Sequence, residues 1–181
     1  MKQRIGIVGH RGYSGAELIR ILQHHPHAEP VLMEHREDAG GGAPLRRGHS
    51  RTSIPCTGEA VRNEGLAAVC LATPPEVSME LAPVMIAAGA RVIDLSGAFR
   101  LRTPANYTAW YKEQHSQPEL LAEAIYGLPE FCRQRIPAAR LVSNPGCGER
   151  LFVLSKIADL YQRRPQFERC ADLTNHVVHD A

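Results

Sequence analysis

The feature that most constrains this chain is the stretch Ile5-Gly6-Ile7-Val8-Gly9-His10-Arg11-Gly12-Tyr13-Ser14-Gly15-Ala16-Glu17-Leu18. A short apolar run there breaks into three evenly spaced glycines and then into a helical pattern. Where a strand turns sharply into a helix, Gly9 can take the positive φ of the turn, Gly12 lets an anionic group approach the backbone, and Gly15 lets the helix lie close to the strand. The free N–H groups and positive end of that helix face an incoming phosphate. Gly-x-x-Gly-x-x-Gly is not the commonest dinucleotide fingerprint, and glycines so spaced also occur in ordinary loops. The strand before and the helix after are what favour nucleotide binding over a structural turn. The cofactor-binding candidates in this stretch are Gly9, Gly12, Tyr13, Ser14 and Gly15.

Downstream, Leu18, Ile19, Ile21 and Leu22 recur at helical spacing while Glu17, Arg20 and Gln23 face the other way, which predicts an amphipathic helix ended by Pro26. Val31-Leu32-Met33 reads as a second strand. It closes on Glu34-His35-Arg36, about 20 residues beyond the glycines, where cofactor ribose is recognised. Glu34 suits a free ribose hydroxyl and Arg36 a 2′-phosphate, so this junction alone leaves NAD and NADP both open. A glycine-rich segment with Arg46, Arg47, His49 and Arg51 then reads as a basic loop, either helping to hold anions or merely solvated.

The continuous apolar run Leu66-Ala67-Ala68-Val69-Cys70-Leu71-Ala72 is that of a strand covered on both faces. Thr73-Pro74-Pro75-Glu76 starts a helix whose apolar positions Leu81, Val84, Met85 and Ala88 lead to Gly89. Arg91 to Leu95 forms another buried strand. This alternation predicts a doubly wound parallel sheet. Ser96 and Gly97, the further cofactor-binding candidates, and Arg100 follow a strand, at the edge where open α/β sheets bind ligands. A polar stretch with Tyr107, Trp110 and Tyr111 leads to a last strand, Leu141-Val142-Ser143, and then to Asn144-Pro145-Gly146-Cys147. Cys147 stands just ahead of an amphipathic pattern carrying Leu151, Leu154, Ile157, Ala158 and Tyr161. A thiol at a helix start has its pKa lowered by the dipole and the free N–H groups.

The 181 residues suffice for one full domain and part of a second, and a net charge of +2 gives no reason to expect nucleic acid. With no long apolar run and no signal-peptide pattern, no membrane partner is expected and the chain reads as cytoplasmic. Five cysteines include no Cys-x-x-Cys pair, and His24, His25 and His27 flank Pro26 at a helix end without carboxylate or thiolate ligands nearby, so no metal is expected.

Five motifs occur in one order: Gly9-x-x-Gly12-Tyr13-Ser14-Gly15-x-Glu17-Leu18, Leu71-Ala72-Thr73-Pro74-x-Glu76-Val77-Ser78, Val92 to Arg100, Tyr126-Gly127-Leu128-Pro129-Glu130, and Asn144-Pro145-Gly146-Cys147. Together they resemble the N-acetyl-γ-glutamyl-phosphate reductases of arginine biosynthesis, relatives of aspartate-semialdehyde dehydrogenase. The resemblance implies a homo-oligomeric family with a Rossmann-type domain that uses NADPH to reduce a small-molecule acyl phosphate to N-acetylglutamate semialdehyde. Cys147 matches the nucleophile, which displaces phosphate to form a thioester that is then reduced. Arg36 matches the arginine after the second strand and favours NADP, while Arg100 and Asn144 are the substrate-binding candidates. The aminoadipyl-phosphate reductases of lysine biosynthesis share these motifs, and a non-catalytic dinucleotide-binding module is the alternative of another class.

The match stops after Cys147, where the family continues Tyr-Pro-Thr and this chain reads Gly148-Glu149-Arg150. The expected organisation is a Rossmann domain over residues 1–146, followed by a helix and a non-matching tail over 147–181. The family's second domain, with its catalytic histidine and dimer interface, is then truncated or replaced.

Overall fold

The computed structural model describes residues 1–35 and 53–146. Arg36, the basic loop, Cys147 and the helix expected after it lie outside the described residues.

The first strand, β1 (Gln3–Val8), is the pivot of the sheet, and its apolar run explains why: Ile7 and Val8 are both 0 % exposed. On one side it pairs in parallel with β2 (Ala28–Glu34), which pairs with the short edge strand β3 (Ile54–Pro55). On the other side it pairs with β4 (Ala68–Leu71), followed outward by β5 (Arg91–Asp94), β7 (Leu141–Ser143) and β6 (Ile125–Tyr126). The order β3-β2-β1-β4-β5-β7-β6 is parallel throughout, the doubly wound sheet that the alternation of patterns predicted. Because the chain leaves β1 first towards β2 and later returns to its other side at β4, the crevice between the ends of β1 and β4 is the topological switch point.

Right-handed crossovers in the two directions put α1 (Tyr13–Gln23) on one face and α3 (Pro75–Ala87) on the other, where α2 (Gly58–Asn63) packs beside it. In α1 the buried apolar residue is Ile19, while Ile21, expected on the same face, is half exposed. Helix α1 ends at Gln23, before Pro26, with the His24 ring Nδ1 bonded to the Arg20 carbonyl at 2.9 Å. His25 Nδ1 accepts from His27 N at 3.2 Å, so two of the three clustered histidines bond to local backbone. Among the described residues no group of His, Cys, Asp and Glu is placed to hold a metal ion, and no helix is long and apolar enough to cross a membrane.

In α3, Leu81 and Met85 are buried as the spacing predicted, whereas Val84 is 43 % exposed. Its first turn is pre-set by Pro75, whose missing N–H costs nothing at that position. The stretch read as merely polar contains two helices, α4 (Pro104–Tyr111) and α5 (Pro118–Glu123), ahead of β6 and the single turn α6 (Pro129–Cys132). Thr103 caps α4 by accepting from Asn106 N at 3.2 Å, with Pro104 behind it. Tyr107 of α4, 1 % exposed, joins Leu121, Ala124 and Phe99 in the core that also holds Val8, Met33, Val69, Leu71 and Val92.

Candidate functional site

Because every strand runs the same way, the C-terminal ends of β2, β1, β4, β5 and β7 share one edge of the sheet, and those predicted site residues that are described lie along it.

At the centre the three glycines separate by cause. Gly9 has φ +76°, and a Cβ there would run into the carbonyl of Ala72 at the end of β4. A Cβ on Gly15 would strike the Gly9 carbonyl oxygen and lie 2.7 Å from His10 Cα. The chain's own backbone therefore requires glycine at both positions. Gly12 is different: its φ of −76° suits any residue, and an added Cβ meets nothing nearer than the Gly9 oxygen at 3.4 Å. Gly12 N donates to Gly9 O at 3.0 Å and Gly12 O accepts from Ala16 N at 2.9 Å, which closes the turn and opens α1. That helix has no side-chain cap and no acidic residue in its first turn, so its positive end is left for an anion. Tyr13 and Ser14 stand exposed around it, Tyr13 at 94 %. A glycine that the fold does not need, in front of an uncapped helix, leaves room for an anionic group at the helix start.

Two spacer residues of the turn prove to be bound to β2, which the sequence did not reveal. The buried His10 ring donates from Nδ1 to the Met33 carbonyl at 3.2 Å, and Arg11 Nη2 donates to Glu34 Oε1 at 2.8 Å. The pairing links residues far apart in the chain, so no local signal announced it.

Beyond the switch point, the turn after β5 is built around Asp94, which is 0 % exposed. Ser96 donates to it from Oγ at 2.8 and 2.9 Å and from its backbone N at 3.1 Å, and Ser78, itself 2.9 Å from Thr73 Oγ1, bonds to it as well. Burial pushes the Asp94 carboxyl above its usual range, opposed by those hydrogen bonds and by the charge of Arg100. Ser96 Oγ also accepts from Ala98 N at 3.0 Å. The hydroxyl singled out for the cofactor is thus engaged in holding its own turn. At Gly97, the space of a Cβ is filled by the Tyr111 hydroxyl, a neighbour that only the fold supplies.

Arg100 and Asn144, the substrate candidates, are brought together at the ends of β5 and β7. Arg100 donates from Nε to the Asn144 carbonyl at 3.0 Å and from Nη2 to the Leu95 carbonyl at 3.1 Å, while Asn144 N donates to Asp94 O at 2.7 Å. Ser143 Oγ, 0 % exposed, is the buried side-chain polar atom among the described residues that has no hydrogen-bond partner.

The same turn is clamped by His115, in the loop between α4 and α5, a residue with no signal in the sequence pattern. Its Nδ1 accepts from Gln117 N at 3.0 Å, so the proton sits on Nε2, which donates to Ala98 O at 2.9 Å. The ring meets Phe99 and Tyr107 edge-on, with centroids 5.3 and 4.8 Å away, and burial holds its pKa below the usual histidine value. The unfolded chain takes up this proton near pH 6.5, about where a free histidine does, whereas the folded ring takes it only at lower pH. Its contribution to stability is therefore complete above about pH 6.5 and declines as pH falls through the folded value. Thermal melts at pH 7.5 and 5.5 are expected to show a larger drop for the parent than for His115→Gln. Equal drops would remove His115 as a source of the pH dependence.

Residues 4–139 match the family model described as semialdehyde dehydrogenase, NAD binding domain. The chain is 43 % identical over 150 residues to an N-acetyl-gamma-glutamyl-phosphate reductase of Symbiobacterium thermophilum, covering 81 % of this chain and 43 % of that protein. It is 44 % identical over 147 residues to the protein of that name from Halorhodospira halophila, covering 79 % and 42 %. Among solved structures, aspartate semialdehyde dehydrogenase II of Vibrio cholerae superposes with a TM-score of 0.59 at 20 % identity, over 88 % of this chain and 47 % of that one, a likeness of fold. The chain spans about 43 % of the length of the curated relatives it matches.

Proposed function

The chain belongs to the semialdehyde dehydrogenase family, and from that premise we propose that it is the cofactor-binding part of an NADPH-dependent N-acetyl-γ-glutamyl-phosphate reductase. The observation that carries the cofactor assignment is the division among the glycines. Gly9 and Gly15 answer to the backbone around them, and Gly12, in open space before an uncapped helix, answers to a ligand. A pyrophosphate at that point would be met by the first N–H groups of α1, with Tyr13 and Ser14 beside it. The adenosine would lie towards the end of β2 and Arg36, and the nicotinamide towards Ser96 and Gly97.

Bound in this way, NADPH supplies the hydride that the reduction needs. The chain's own residues prepare its acceptor. The Cys147 thiolate attacks the acyl carbon of the acyl phosphate, the carbon–oxygen bond to phosphate breaks, and a thioester remains on sulfur. Arg100 and Asn144, held side by side at the ends of adjacent strands, are proposed to contact the substrate at this step. The aminoadipyl-phosphate reductases share the motifs and are the competing substrate assignment.

Arg36→Ala is expected to weaken NADPH binding about tenfold or more, as befits the loss of a charge-assisted hydrogen bond, and to leave NADH binding nearly unchanged. A fluorescence titration of both cofactors checks this. Equal losses would overturn Arg36 as the 2′-phosphate ligand, and a parent chain that binds neither cofactor would overturn the whole reading.

A further inference from the structure

We propose that Arg11 and Glu34 form a cofactor selector at the adenosine end of the crevice, in which Glu34 receives a free 2′-hydroxyl and Arg11 receives a 2′-phosphate. The inference rests on the dinucleotide reading above and adds to it the residues that weigh one cofactor against the other.

Glu34 is the last residue of β2, the strand whose end faces the cofactor ribose in sheets of this kind. A carboxylate there accepts hydrogen bonds from a ribose diol and repels a phosphate dianion, so by itself Glu34 selects NADH. Arg11 changes that balance. It lies between Gly9 and Gly12, and the His10 bond to the Met33 carbonyl fastens the turn to the end of β2, so the guanidinium is delivered to Glu34 at 2.8 Å. The pair neutralises the carboxylate and sets guanidinium N–H donors next to the 2′ position.

Both side chains are partly exposed to solvent, Arg11 at 42 % and Glu34 at 45 %. An ion pair so exposed is worth little, so exchanging it for another partner costs little. A phosphate offers a guanidinium two parallel charge-assisted bonds, and such bonds are among the strong ones. With NADPH the Arg11 guanidinium turns towards the phosphate. With NADH it stays on one carboxylate oxygen, leaving the other to the ribose hydroxyls. Each member of the pair thus favours one cofactor at the expense of the other.

The test is fluorescence titration of the chain and two variants with NADPH and with NADH at low ionic strength, melting each protein by circular dichroism to check folding. Arg11→Ala is expected to lower the preference for NADPH about tenfold, and Glu34→Gln to raise it by a similar factor, as charge-assisted hydrogen bonds require. Added salt should shrink both shifts, because the interactions are between exposed charges. Both variants moving the two affinities equally, or shifting preference in the same direction, would overturn the selector while leaving the dinucleotide site in place. A parent chain that binds neither cofactor overturns the dinucleotide reading and this inference with it.

Discussion

Gly12→Val is expected to remove NADPH binding from a protein that still folds, and Gly15→Val to prevent folding. The two positions stand three residues apart in one motif, yet they face different neighbours. A valine at Gly12 finds no backbone in its way, and φ of −76° is comfortable for it. The cost is that of a poorer helix N-cap, about 1 kcal/mol, which for a domain of this size lowers the melting temperature by about 4 °C at most. Its side chain instead fills the space proposed for the pyrophosphate. A valine at Gly15 meets the backbone of Gly9 and His10, which cannot yield without moving the turn. Forced overpacking of that kind costs about 3 kcal/mol or more. Melting curves together with NADPH titrations of both variants check the pair. Unfolding of Gly12→Val would show that glycine to be structural and remove the main support for the cradle.

The second large effect concerns thiol reactivity. In the reduced protein Cys147 is expected to be alkylated first at pH 7.5, far ahead of Cys70. Cys70 lies in β4, 4 % exposed, and burial pushes its thiol up to about 12. The thiolate is the reactive form, so a cysteine at or below the ordinary value near 8.5 reacts on the order of a thousandfold faster than one so raised. Cys56 is half-buried and should fall between them. Limited alkylation followed by peptide mass analysis ranks the sites, and repeating it across pH locates the Cys147 pKa. Labelling of Cys56 or Cys70 ahead of Cys147 would withdraw the nucleophile assignment.

The strands β1, β2, β4, β5 and β7 were legible because each is an apolar run long enough to cross a covered sheet and bounded by turn residues. Helices α1 and α3 were legible from their spacing, although Ile21 and Val84 show that an apolar residue in a helical pattern need not be buried. Helix α4 was missed because Tyr107, Trp110 and Tyr111 form no clean apolar stripe. Only Tyr107 enters the core, and the capping pair Thr103-Pro104 was the signal that would have found it. Strands β3 and β6, of two residues each, carry no pattern at all.

The candidate site divides in the same way. The sequence by itself determined that a strand, three glycines and a helix open the chain, that parallel strands follow, and that Ser96, Gly97, Arg100 and Asn144 come after strand ends. These are properties of local order and spacing, which the backbone obeys wherever the segment lies. Only the tertiary structure decided which glycine is required by its neighbours and which has open space beside it, because the deciding atoms are the Ala72 carbonyl just past β4 and the backbone of the turn itself. It alone joined Arg11 to Glu34, turned the Ser96 hydroxyl inward to a buried Asp94, laid Tyr111 over Gly97, and set Arg100 against Asn144. Apart from the Ser96–Asp94 bond, which is local and owes only its burial to the fold, those contacts join segments distant in sequence, and spacing along the chain holds no record of such neighbours.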